Sequence, residues 1–141
     1  MYNVKLSQTA SDIMNNEGRL AFPDECCGFL FGTDDEDARN ITIAVPVTNS
    51  KDGDRRRRFE IAPLDYMKAE NYAVQHHIHL LGVYHTHPLH PAIPSSHDLA
   101  QAMPFFSYII LSVTEDDVID IRSWRLNEET MTFDEETIIE Q

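Results

Sequence analysis

Three apolar runs too short to be helices restrict what this 141-residue chain can fold into. They are Gly28-Phe29-Leu30-Phe31-Gly32, Leu80 to His87 (LLGVYHTH) and Phe106 to Val113. Runs of this length bounded by turn residues are the pattern of strands buried on both faces, and such strands need helices to cover them. The chain supplies the helices. Ser7 is placed to cap one that carries Ala10, Ile13 and Met14 on a single face, runs toward Asn16 and ends before Pro23. Pro63 opens a second through Met67, Tyr72 and Val74 toward His77, and Ser95 starts a short third that Pro104 stops. Further strands are expected where Ile41, Ile43 and Val45 alternate, at Phe59-Glu60-Ile61, and at Val118 to Trp124. In the last, Ile119 and Ile121 share one face and Asp120 and Arg122 the other. With no repeat and no linker, residues 1–141 are expected to form one domain, a two- or three-layer α/β arrangement around one sheet.

Charge narrows the partners. Twenty-four acidic residues against 11 basic ones leave a net charge of −13, which repels anionic lipid and nucleic acid. Lysine is scarce, only Lys5, Lys51 and Lys68, and acids crowd Asp34 to Asp37 and the stretch from Glu115 to Glu140. Both stretches read as solvated surface, and the lysine scarcity also fits a high-salt cytoplasm, where screening relieves acidic self-repulsion. No apolar run approaches the roughly 20 residues that span a bilayer, and the N-terminus lacks a basic segment followed by an apolar one. The reading is a soluble, cytoplasmic protein that binds neither membrane nor nucleic acid. Cys26 and Cys27 are adjacent and no CxxC occurs, which excludes a disulfide framework and the cysteine-rich zinc modules. On a strand the two point to opposite faces, so at least one is expected to be buried. Against the acidity stands the run Arg55 to Arg58, either a solvated hairpin or a basic handle for a partner.

The histidines carry the chemistry. His85-Thr86-His87 ends an apolar strand, where alternation puts both rings on one side of the sheet, able to grip one ion. Asp98 follows eleven residues after His87, in the first turn of the helix that starts at Ser95. Two imidazoles and a carboxylate leave one position of a tetrahedral zinc ion open for water, the arrangement of a catalytic site. Taken alone, Ser95-x-x-Asp98 reads as a helix-capping pair. The joint spacing, His-x-His-Pro, six residues, then Ser-x-x-Asp, is what points to a site. A base for the water is sought upstream, where Glu25 precedes a short apolar strand, although a surface acid is an equal reading of that residue alone. His90 lies in the loop beyond the strand, His97 should face away from Asp98, and His76, His77 and His79 cluster at a helix end with no chemistry assigned.

These residues carry a resemblance. Pro23, Glu25, Cys27 and Gly28, then His85, His87, Pro88, Ser95 and Asp98, resemble the signature of the JAMM metalloproteases, the JAB/MPN family, in their small single-domain bacterial form. Arg58-Phe59, Ile61, Pro63, Gly82, His90-Pro91-Ala92 and Pro94 extend the likeness, which covers roughly Ser7 to Val113. The resemblance implies a cytidine-deaminase-like α/β fold with a mixed central sheet flanked by helices. It implies one Zn2+ with a bound water, held by His85, His87 and Asp98. Glu25 would be general base and then acid, and Ser95 the donor to the developing oxyanion. The implied function is a zinc-dependent peptidase or isopeptidase that hydrolyses an amide bond at the C-terminal tail of a ubiquitin-like or sulfur-carrier protein. Such a carrier is then the natural partner for the arginine run. The alternative is a zinc-containing binding module with little turnover. A cytidine-deaminase-like hydrolase is set aside, because its His-x-Glu and Pro-Cys-x-x-Cys segments are absent.

Overall fold

A computed structural model describes residues 2–56 and 58–141; Arg57, one of the four arginines of the basic run, lies outside the described residues. Along the chain come β1 (Asn3–Leu6), α1 (Gln8–Ala21), β2 (Cys27–Asp34), β3 (Arg39–Val47), α2 (Pro63–Gln75), β4 (His79–Pro88), α3 (Ser96–Gln101), β5 (Ser107–Val113), β6 (Val118–Asn127) and β7 (Thr132–Glu140). The three apolar runs form β2, β4 and β5, adjacent in the middle of the strand order β1-β3-β2-β4-β5-β6-β7. The sheet is mixed, with β4 and β5 parallel and β2 antiparallel to β4.

Each face of the sheet has its helix. The Ser7 hydroxyl accepts from the Ala10 amide at 3.1 Å and so starts α1. Helix α1 buries Ala10 and Met14 against Leu6, Leu30, Ile41, Tyr84, Ile109 and Leu111. On the other face α2 lays Ala69 and Ala73 on Phe29, Phe31, Val83 and Tyr108. Both cysteines are buried, Cys27 completely. The close pairing of β4 with β5 requires glycine at position 82, since a Cβ there would sit 1.9 Å from the Ser107 carbonyl oxygen.

Three expectations need correction. Phe59-Glu60-Ile61 forms no strand; the Glu60 amide donates to Asn49 Oδ1 and its carbonyl accepts from the Ser50 hydroxyl, while Phe59 is buried beside a histidine. Ile119 does not share a face with Ile121. A register shift opposite Ser112/Val113 bulges β6 there, leaving Ile119 65% exposed. The acidic C-terminal stretch is not all solvated surface, because it contributes β7, and Glu136 is buried between the Ser123 hydroxyl and Arg125. The expected mixed sheet also closes on itself. Strand β1 pairs in parallel with both β3 and β7, closing a barrel whose first and last strands have no exposed hydrogen-bonding edge along their paired residues.

Candidate metal and catalytic site

His85 and His87 lie near the end of β4 and project from one face, the same as Val83, as strand alternation demands. Their Nε2 atoms are 3.0 Å apart. Asp98 Oδ2 stands 3.4 Å from His85 Nε2 and 3.2 Å from His87 Nε2. Among the described residues this is the group whose donor atoms converge on one point. Tetrahedral ligation at about 2.0–2.1 Å would set neighbouring donor atoms about 3.3 Å apart, so the three separations fit a zinc-sized ion without rearrangement.

Each donor is held by a different device. His87 Nδ1 lies 2.8 Å from the Pro91 carbonyl, which turns Nε2 toward Asp98. His85 has no hydrogen-bond partner at Nδ1 among the described residues; instead its ring stacks on Phe59, with centroids 4.4 Å apart and planes 25° from parallel. Asp98 is placed by a full capping box. The Asp98 amide donates to Ser95 Oγ at 3.1 Å, and the Ser95 amide donates to Asp98 Oδ2 at 2.8 Å. Capping and ligation are therefore not rival readings of Asp98, since the oxygen that caps the helix is the one that faces the imidazoles. The loop between β4 and α3 is pinned from outside, by Trp124 Nε1 donating to the Ala92 carbonyl at 3.0 Å and by the Ser112 hydroxyl donating to the His90 carbonyl.

Electrostatics follow from burial. Desolvation pushes the Glu25 carboxyl up to about 8, reinforced by Asp98 and opposed by His87 and Arg58. Glu25 is only 7% exposed. Burial also raises Asp98, but hydrogen bonds from both imidazoles and from the Ser95 amide outweigh it and hold this carboxyl far below the usual carboxylate range. Complete burial lowers His85, whereas for His87 the Asp98 and Pro91 contacts overcome desolvation and raise it.

Two cavities meet the donor trio. One, of about 730 Å³, is lined by Glu25, Arg58, His87, His90, Ile93 and Ser95. The other, of about 360 Å³, reaches His85 and Asp98 between Phe59, Tyr66, Met103 and Tyr108. All five residues singled out in the sequence thus border one continuous neighbourhood, and His90 joins them. A buried carboxylate that titrates near neutral pH, a hydroxyl and a three-donor cluster beside a cleft can together deprotonate water and stabilise a developing oxyanion. Sequence reasoning passed over Asn49 and Trp124, which act through main-chain carbonyls and leave no pattern to read. The basic run is likewise more than a surface hairpin, since the Arg55 carbonyl accepts the Glu25 amide at 2.7 Å.

A family model described as prokaryotic homologs of the JAB domain matches residues 7–127. A desampylase of Pyrococcus furiosus is 28% identical over 116 residues, which is 82% of this chain and 76% of that protein. A desampylase of Haloferax volcanii is 34% identical over 91 residues, covering 64% of this chain and 63% of the other. Among solved structures, a protein from Desulfitobacterium hafniense superposes with a TM-score of 0.84 at 29% identity, covering 98% of this chain and 92% of its own. A JAB1/MPN domain protein from Archaeoglobus fulgidus, 17% identical, shares the fold with a TM-score of 0.56 over 96% of this chain and 98% of its own.

Proposed function

Because this chain belongs to the family of prokaryotic JAB-domain homologs and has the JAB/MPN-like α/β fold, we propose that it is a zinc-dependent metallopeptidase of the JAMM type. Its substrate is an amide or isopeptide bond at the C-terminal tail of a ubiquitin-like or sulfur-carrier protein. One observation carries the reading, the convergence of His85, His87 and Asp98 beside a cavity that Glu25 and Ser95 line. The two relatives named desampylase support a hydrolytic activity on a conjugated small protein.

When bound, zinc supplies Lewis acidity and lowers the pKa of a coordinated water to about 7. His85, His87 and Asp98 would hold it. Glu25 accepts a proton from the attacking water and delivers one to the leaving amine; a carboxyl lifted toward neutrality is suited to both tasks. Ser95 Oγ accepts from the Asp98 amide, so its own proton remains free to donate to the carbonyl oxygen as charge develops there. The capping box thereby serves ligand placement and oxyanion stabilisation at once. The loop pinned by Trp124 keeps Ser95 in register with the histidines.

The test joins metal content to turnover. Purified protein should carry one zinc per chain and cleave a carrier whose C-terminal Gly-Gly tail is blocked by an amide. His85→Ala, His87→Ala and Asp98→Ala should each lose the metal, while Glu25→Gln should keep it and lose turnover. Full metal occupancy with no cleavage of any carrier would favour the binding-module alternative. Loss of zinc from Glu25→Gln as readily as from His87→Ala would show that Glu25 is a ligand and not the base.

A further inference from the structure

Glu25 stands outside the sheet, two residues before the paired register of β2 begins at Cys27. A general base needs a fixed position, yet the ladder does not hold it. Both of its main-chain groups are instead tied to the segment between β3 and α2. Its amide donates to the Arg55 carbonyl at 2.7 Å, and its carbonyl accepts from Asn49 Nδ2 at 3.1 Å. The same Asn49 nitrogen donates to the Arg58 carbonyl, also at 3.1 Å. Asn49 Oδ1 accepts the Lys51 amide at 3.0 Å and the Glu60 amide at 3.1 Å.

An asparagine side chain offers two N–H donors and two carbonyl lone pairs, and Asn49 uses all four on backbone. What those bonds join matters for the site. Residues 58 and 60 flank Phe59, whose ring stacks on His85, while the remaining donor reaches the residue that carries the base. One side chain therefore connects the arm that bears Glu25 to the arm that backs a metal-ligating histidine. It does so through bonds that neither helix nor sheet supplies.

We propose that Asn49 is a positioning residue for hydrolysis, setting Glu25 at a fixed separation from His85 by clasping the Glu25 and Arg58 carbonyls together. The proposal rests on the zinc-hydrolase reading only for its kinetic consequence; the clasp itself is testable without turnover. Aspartate is the informative substitution. It keeps acceptors for the Lys51 and Glu60 amides and loses both donors, so two of the four Asn49 bonds remain while the bonds to the Glu25 and Arg58 carbonyls are cut. A displacement of about 1 Å at a reacting group costs on the order of a hundredfold in rate.

Asn49→Asp should then lower kcat on the order of a hundredfold, with KM within about threefold of wild type and zinc content unchanged. Amide hydrogen exchange should accelerate at Glu25 while the β4 and β5 amides keep their protection. In the wild-type protein the two Asn49 side-chain N–H protons should exchange slowly, a measurement that needs neither a variant nor activity. A merely structural asparagine predicts a different pattern, with activity falling in proportion to the folded fraction and protection lost across the sheet. That pattern overturns the proposal. So does wild-type kcat in Asn49→Asp, or an Asn49 side chain that exchanges as fast as an exposed one. Absence of turnover in the wild type would sink the hydrolase reading instead, and the exchange measurements would still decide the clasp.

Discussion

Replacing Glu25 with Gln in the metal-free protein should remove a pH-dependent loss of stability. In the folded state desolvation pushes this carboxyl from the ordinary 4.5 up to about 8, and only 7% of the residue is exposed. Below about pH 4.5 Glu25 is protonated in both the folded and unfolded chain and no penalty exists. Above it the unfolded chain releases the proton while the folded chain retains it, so stability declines until the pH has passed the folded pKa of about 8. Holding a proton one pH unit beyond its ordinary release point costs about 1.4 kcal/mol, so the wild type should lose roughly 4 kcal/mol at this site between about pH 5 and pH 9. Glutamine is neutral throughout and has no such loss. Urea unfolding of both proteins in chelator, at several pH values across that range, gives the difference directly, and groups that titrate identically in the two cancel. The variant should gain on the wild type as the pH rises. With zinc added the difference should shrink, since a cation beside the carboxylate favours its charged form. A difference that stays flat to within about 0.5 kcal/mol, or that runs the other way, would mean that Glu25 is solvated and would remove the electrostatic basis for its role as base.

Ser95→Ala should do two things at once, because Ser95 both caps α3 and lines the cavity. Loss of the cap should cost about 1 kcal/mol of stability, and loss of the oxyanion donor should lower kcat on the order of 10²- to 10³-fold with little change in KM; normal kcat in a less stable variant would reduce Ser95 to a cap. The charge of −13 with only three lysines predicts a higher melting temperature in molar KCl than in dilute buffer, as screening relieves self-repulsion. Melting no later in KCl would dismiss adaptation to high salt.

Local rules were enough for part of this molecule. Alternation along a strand has a period of two, so His85 and His87 had to share a face wherever β4 lay. The Ser95–Asp98 pair is a contact three residues apart, settled by helix capping, and the apolar runs had to be the buried strands because nothing else could cover them. Adjacent cysteines on a strand predict one buried thiol; both are buried, Cys27 in the core beneath α2 and Cys26 just before β2, where its amide donates to Thr86 Oγ1 at 2.9 Å. Tertiary structure decided the rest. Strand β7 reads as an acidic tail with no alternation, and it is a strand because Thr132 to Glu136 pair antiparallel with β6, while Thr137 to Glu140 run on to pair in parallel with β1, near the other end of the described residues. That parallel pairing depends on a partner more than a hundred residues away, and propensity within a window cannot see it. Phe59 reads as a strand residue on its own, but a neighbouring imidazole and the Asn49 amide were better partners than a sheet edge. The position of Glu25, and with it the burial that raises its pKa, is held by the Asn49 side-chain amide and the Arg55 carbonyl, which bond its main chain. A carboxylate's identity is written in the chain, whereas its solvation depends on what the fold places around it.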